Sequence, residues 1–134
     1  MIKIKIGKKQ KVEGAVVVVV DSQDRVLILL RPSNSRWAPD LWGFPGGKLE
    51  KNETPLNAAI RETLEETQLR VRNLRPLDLK IDKPVVAYYT REYGGTVKID
   101  WEHEDWAWVG RNNLSAYKTA PDVVEMFDWV LENE

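Results

Sequence analysis

Two short aliphatic runs, residues 15–20 and 26–30, are separated only by the polar turn Asp21-Ser22-Gln23-Asp24, and they constrain the fold more than any other stretch. Neither run is long enough for a stable helix, and neither alternates with polar residues, so each reads as a strand covered on both faces. A chain that begins this way needs helices to cover its sheet. They are supplied at residues 55–67, where Thr54 caps the N-terminus and Pro55 takes the first helical position, and at 121–131, with Val123, Val124, Phe127, Val130 and Leu131 turned inward. Further strands are expected at 69–81, 84–93 and 105–109, with Gly94-Gly95 turning the second of these into a hairpin partner at 96–100. Ile2, Ile4 and Ile6 alternate with Lys3 and Lys5 as in a half-exposed edge strand. A loop rich in Pro, Gly and Trp fills 32–47. With no linker, repeat or low-complexity block, residues 1–134 read as one domain, a mixed α/β sandwich.

Composition narrows the chemistry. The chain has no Cys and one His, His103, which excludes disulfides, thiolate metal sites, cysteine nucleophiles and multi-His metal centres. Carboxylates must therefore carry any catalysis. A net charge of -1 gives no global attraction for nucleic acid or an anionic membrane. No apolar run approaches the ~20 residues of a membrane helix, and residues 1–6 lack a signal peptide's continuous apolar stretch, so a soluble, cytoplasmic protein is expected. Lys3, Lys5, Lys8, Lys9 and Lys11 form a basic segment that either steers an anionic substrate or is a solvated face.

On a helical wheel for 55–67, Leu56, Ile60, Thr63, Leu64 and Thr67 gather on one side and Glu62, Glu65 and Glu66 on the other. Ala58 and Ala59 lie between the arcs, small enough to let another group approach. Like charges three and four residues apart repel, a cost that an oxygen-seeking cation would remove. Just before the helix, Gly43-Phe44-Pro45-Gly46-Gly47-Lys48 can form a tight loop with accessible backbone groups, and Glu53 stands at the helix entrance.

These residues resemble the signature of the Nudix hydrolases: Gly, five residues, Glu, seven residues, Arg-Glu, a bulky apolar residue, any residue, Glu-Glu, any residue, Gly and a bulky apolar residue. Here it reads Gly47, Glu53, then Arg61-Glu62-Thr63-Leu64-Glu65-Glu66-Thr67-Gln68-Leu69, with the spacing intact. Thr63 and Gln68 depart from it. Thr63 stands on the buried helix face, where its hydroxyl can bond back one turn. Gln68 replaces the helix-ending glycine, so it either accepts a left-handed conformation at ~1–2 kcal/mol or the helix ends differently.

The resemblance implies a Nudix-type α/β/α sandwich with a mixed β-sheet and Mg²⁺-dependent cleavage of a nucleoside diphosphate linkage, with Mn²⁺ as a possible substitute. By position, Glu62, Glu65, Glu66 and the Gly46 carbonyl would be metal ligands. Arg61 and Glu53 would pair to orient the helix, and Lys48 would sit near the pyrophosphate. Family members take their general base from a box glutamate or from a later loop. The later candidates are Glu102, preferred as fourth ligand or base, and Glu104 behind it; both also suit a solvated loop. His103, between them, is expected to be a partly exposed loop residue outside the chemistry. Arg31 matches in rough position a phosphate-contacting arginine and equally suits a surface ion pair.

The chain carries more large aromatics than a core of this size needs, so one or two of Trp37, Trp42, Tyr88, Tyr89, Trp101 and Trp106 are expected to stack on a base; Tyr88 and Trp106 are the candidates. Tyr88 and Tyr89 point to opposite strand faces, so at most one lines a cleft. Asp122, at the start of the last helix, falls where the related subgroup reads the base, and is equally a first-turn acid. The loop 41–48 looks most like MutT-type nucleoside triphosphate pyrophosphohydrolases. ADP-ribose or nucleotide-sugar hydrolysis, dinucleoside polyphosphate cleavage and a non-catalytic nucleotide-binding module are the alternatives. The expected partner is a small-molecule nucleotide, with no nucleic acid or membrane, in a monomer or homodimer.

Overall fold

The computed structural model describes residues 11–134; the edge strand expected at 2–6 lies outside the described residues. The two aliphatic runs are β1 (Gly14–Val19) and β2 (Arg25–Leu30), joined by the expected turn. The Asp21 carboxylate holds that turn, accepting the backbone N–H groups of Gln23 and Arg25 and the Arg25 guanidinium. The loop 32–47 also contains two very short strands, β3 (Trp42–Gly43) and β4 (Gly46–Lys48). After α1 (Pro55–Thr67) come β5 (Arg70–Arg72), β6 (Arg75–Pro76), β7 (Val85–Thr90), β8 (Glu92–Gly94), β9 (Asp105–Gly110), a 3-10 turn at Arg111–Ala116 and α2 (Val123–Asn133).

β1 lies inside a four-stranded mixed sheet of order β4-β1-β7-β6, in which β1 and β7 run parallel and the other pairs antiparallel. β2 belongs to a second sheet, β3-β2-β9, and β5 pairs with β8. The side chains of β1 alternate between two cores. Ala15, Val17 and Val19 pack with Ala58 and Ala59 of α1, while Val18 and Val20 pack with Val123, Met126, Phe127 and Val130 of α2. Both faces of the strand are thus covered by helices, which is why its sequence shows no alternation. Val124 and Leu131, expected inward, are half-buried against the second core, and Met126 is buried among the predicted residues.

Three expectations are corrected. The stretch 69–81 is not one strand: it breaks at Asn73, whose φ of 53° is left-handed, and beyond Pro76 it is irregular. The strand at 84–93 is divided at Arg91 into β7 and β8. No strand forms at 96–100. That segment instead donates backbone N–H groups to the end of α1, from Lys98 to the Thr67 carbonyl (2.9 Å) and from Asp100 to the Glu66 carbonyl (3.3 Å). A helix leaves its last carbonyls without internal partners, and satisfying them here competes with hairpin formation.

On α1, the buried residues are Ala58, Ala59, Thr63, Glu66 and Thr67, whereas Leu56 is exposed and Ile60 and Leu64 are only half-buried. The helix is rotated from the wheel expectation because alanines allow closer packing on β1 than leucines. Thr63 donates its hydroxyl to the Ala59 carbonyl at 2.8 Å, as expected. Gln68 adopts the left-handed conformation (φ 65°, ψ 9°) and ends the helix with its N–H on the Leu64 carbonyl.

Candidate active site

α1 begins with Thr54 accepting the Asn57 N–H at 3.1 Å and with Pro55 at the first turn. This start sets α1 so that Glu62 and Glu66 meet β4, while Glu65 stays more exposed beside Arg61. Gly47 is the contact point. A Cβ on Gly47 would lie 2.5 Å from Cδ of Glu62, inside van der Waals contact, so a side chain there would have to displace that carboxylate. Gly46 is similarly crowded against the Ala15 carbonyl, and its N–H donates to Oε1 of Glu66 at 2.9 Å.

Arg61 ties helix to loop. Its Nε and Nη2 donate to both oxygens of Glu53 at 2.7 and 2.8 Å, Nη2 also donates to the Lys48 carbonyl at 3.1 Å, and Nη1 donates to Glu62 at 2.7 Å and Glu65 at 3.3 Å. The guanidinium, with a further N–H from Glu50, holds the Glu53 carboxyl down to about 2. Glu62 moves the other way: burial raises it, more than its hydrogen bond from Arg61 lowers it. Glu66 is 2% exposed, and burial pushes its carboxyl up to about 9 despite the Gly46 N–H, with the charges of Glu62, Asp100 and Glu102 adding to the rise. Without a cation beside it, burial therefore favours the protonated form of Glu66.

Glu62, Glu65, Glu66 and Glu102 line one cleft of about 530 Å³ together with Gly46, Gly47, Lys48 and Arg31. Its remaining wall is largely apolar and includes Val16, Phe44, Pro84, Val85, Val123 and Met126. Glu104 is exposed and lies outside this lining, so of the two loop acids only Glu102 reaches the cleft. Arg31 turns its Nε back to the Trp37 carbonyl at 2.7 Å, bracing the loop that follows β2.

Tyr88 and Trp106, the two preferred base-stacking candidates, are not among the residues that line the cleft. Tyr88 packs on the α1 core, and Tyr89 meets Trp129 edge-on at 5.9 Å. Trp106 is 39% exposed and outside the lining. Trp37 lines the cleft instead, with the Lys83 ammonium 5.2 Å from its ring centroid. Lys83 also approaches Asp122 at 3.8 Å and donates to the Pro121 carbonyl at 3.4 Å. Asp122 itself, left-handed at the cap of α2, borders a more open groove of about 690 Å³ on the outer face of that helix. Lys83 was missed because it sits in an irregular loop, where periodicity carries no signal, whereas Trp37 was one of the six aromatics expected to offer a stacking face. His103 is buried rather than partly exposed, its Nδ1 2.9 Å from Oδ1 of Asp100.

The donor set suits a hard cation: carboxylates and a backbone carbonyl, with a buried acid that needs a positive charge beside it. Among the described residues no three acidic side chains already enclose a cation position; Glu62 and Glu65 instead share the Nη1 group of Arg61. None of the helices among the described residues is long and apolar enough to cross a membrane.

Among known proteins, an 8-oxo-dGTP diphosphatase of Proteus vulgaris is 43% identical over 70 residues, covering 52% of this chain and 62% of that enzyme. The match to a Streptomyces rubellomurinus phosphonate hydrolase acting on a CMP conjugate covers 31% of that protein, so these alignments span less than two thirds of the relatives they match. The CTP pyrophosphohydrolase of Escherichia coli aligns over 88% of this chain and 90% of its own length at 23% identity. The fold matches a MutT Nudix hydrolase from Burkholderia pseudomallei with a TM-score of 0.78 at 20% identity, over 91% of this chain and 99% of that one. The NUDIX domain matches residues 10–130, and the chain therefore belongs to the Nudix hydrolase family.

Proposed function

We propose that this chain hydrolyses the pyrophosphate bond of a (deoxy)nucleoside triphosphate, an oxidised or otherwise modified one included, to a nucleoside monophosphate and pyrophosphate, with Mg²⁺ or Mn²⁺ as cofactor. The observation that carries the reading is that one cleft is lined both by the carboxylates Glu62, Glu65, Glu66 and Glu102 and by the clustered apolar side chains of Phe44, Val123 and Met126. A triphosphate with an attached base calls for both kinds of surface. The relatives that act on 8-oxo-dGTP and CTP support a triphosphate substrate.

Glu62, Glu65, Glu66, Glu102 and the Gly46 carbonyl would hold the cation. When bound, it neutralises the charge of the anhydride oxygens and lowers the pKa of a coordinated water. The chain's own residues do the rest. Glu102, reaching the cleft from a loop, either completes that ligand set or takes the proton from the attacking water, in preference to Glu104. Arg61 and Glu53 keep the glutamate helix aimed at the cleft, and Lys48 meets phosphate oxygens at its edge. Trp37 offers a base a ring face at the mouth.

One solved neighbour is a Nudix domain complexed with ADP-ribose, so that nucleotide belongs in the substrate panel. The test is release of phosphate or pyrophosphate from dNTPs, oxidised dNTPs, CTP, ADP-ribose and dinucleoside polyphosphates, for the wild type and Glu65→Gln. Mg²⁺-dependent turnover of a triphosphate, lost in the variant, is the expected result. No metal-dependent turnover on any compound rejects the catalytic reading in favour of a binding module.

A further inference from the structure

The segment that carries Glu102 has no regular structure, yet it is tied at both ends. Asp100 donates its N–H to the Glu66 carbonyl of α1 at 3.3 Å, and Glu104 donates to the Leu30 carbonyl of β2 at 2.9 Å. Between these anchors the chain brings a carboxylate into the cleft lined by Glu62, Glu65 and Glu66, where an unrestrained Glu102 would be free to turn into water. Trp101, 88% exposed, makes no anchor, and Glu102 itself faces the cleft.

His103 is the one side chain of this span that turns inward. It is 3% exposed, its Nδ1 lies 2.9 Å from Oδ1 of Asp100, and its N–H donates to the Asp100 carbonyl at 3.4 Å. Because Asp100 is itself bonded to the backbone of Glu66, the ring closes a short path between the Glu102 loop and the glutamate helix. A side chain that only filled space here would have no reason to carry a ring nitrogen aimed at that carboxylate.

We propose that His103 is a positioning residue: keyed under the loop and hydrogen-bonded to Asp100, it holds Glu102 against the box glutamates and so completes the cation site. The inference rests on the reading of Glu102 as part of that site.

Its test needs no substrate. Mn²⁺ is titrated into the full chain at one fixed pH without nucleotide, and binding is followed by electron paramagnetic resonance. Folding is checked by circular dichroism. Glu102→Gln should weaken binding about 10–100-fold, the range for metal-site perturbations. His103→Phe, which keeps a ring but no donor, should match it within about threefold, and the double variant should bind no worse than Glu102→Gln alone, because both changes remove the same contact. His103→Asn, whose amide can donate to Asp100, should recover wild-type binding within about threefold. If the Phe ring prevents folding, His103→Ala is read in its place.

Wild-type binding in a folded His103→Phe chain, losses that multiply in the double variant, or failure of Asn to rescue each overturn the proposal while leaving the Glu102 reading intact. Unchanged binding in Glu102→Gln overturns the role of Glu102, and the inference with it.

Discussion

Arg61 clasps Glu53 through two parallel hydrogen bonds, Nε to Oε2 at 2.7 Å and Nη2 to Oε1 at 2.8 Å, and neither residue is a proposed metal ligand. The same guanidinium reaches Glu62, Glu65 and the Lys48 carbonyl, so one planar cation sets the spacing between the glycine loop and the acidic helix face. Lysine would keep the charge but cannot reproduce the fork. Arg61→Lys is expected to weaken Mn²⁺ binding and turnover together by about 10–100-fold, as for other residues that orient metal ligands. Mn²⁺ titration and steady-state rates check this. A variant with wild-type affinity would show that the clasp does not orient the site.

Gly47 gives a prediction about space. An added Cβ would sit 2.5 Å from Cδ of Glu62 and 2.7 Å from Oε2, so Gly47→Ala must displace that carboxylate or the β4 backbone. Overpacking of this kind costs about 1–3 kcal/mol. Activity should fall further than stability, because the displaced atom is a proposed ligand. Thermal unfolding and rate assays on the same sample separate the two; a variant as active as the wild type would place Glu62 outside the chemistry.

Gln68 ends α1 in a left-handed conformation that glycine adopts freely. Relief of about 1–2 kcal/mol of strain, less the roughly 0.5–1 kcal/mol of extra chain entropy that glycine loses on folding, leaves Gln68→Gly more stable by up to about 1.5 kcal/mol. Urea unfolding measures the difference. A loss of stability would mean that the glutamine side chain contributes more than the strain costs.

The parts of this molecule legible in the sequence are those where one residue type has one physical reason to be present. The two-sided burial of β1 and the Thr54-Pro55 helix start belong to this group, whereas the Arg61–Glu53 pair was legible only through the resemblance to the family signature. Competition between partners was not legible. Residues 96–100 could have formed a hairpin strand, but the carbonyls of Thr67 and Glu66 take their N–H groups. Leucines drew the helical wheel toward Leu56 and Leu64, whereas small residues decided which face meets β1. In the site, two loop residues whose role depends on neighbours distant in sequence were missed or misread: Lys83, set against the Trp37 ring, and His103, buried under its loop.

Glu66 ties pH dependence to the cation. In the folded, metal-free chain its carboxyl titrates at about 9, chiefly through burial and then through the charges of Glu62, Asp100 and Glu102, against an ordinary value of 4.5. The folded state therefore holds this proton more tightly than the unfolded one. The resulting contribution to stability is complete below about 4.5 and is lost progressively as pH rises toward about 9. Metal-free protein should unfold at lower temperature at pH 8 than at pH 5.5. Glu66→Gln, which cannot ionise, should flatten much of that slope. Mg²⁺ at pH 8 should restore stability to the wild type by binding the ionised carboxylate, and restore far less to the variant. Thermal unfolding at the two pH values, with chelator or with Mg²⁺, makes the measurement. Equal slopes in the wild type and Glu66→Gln would show that this carboxyl is not the group that couples folding to protons.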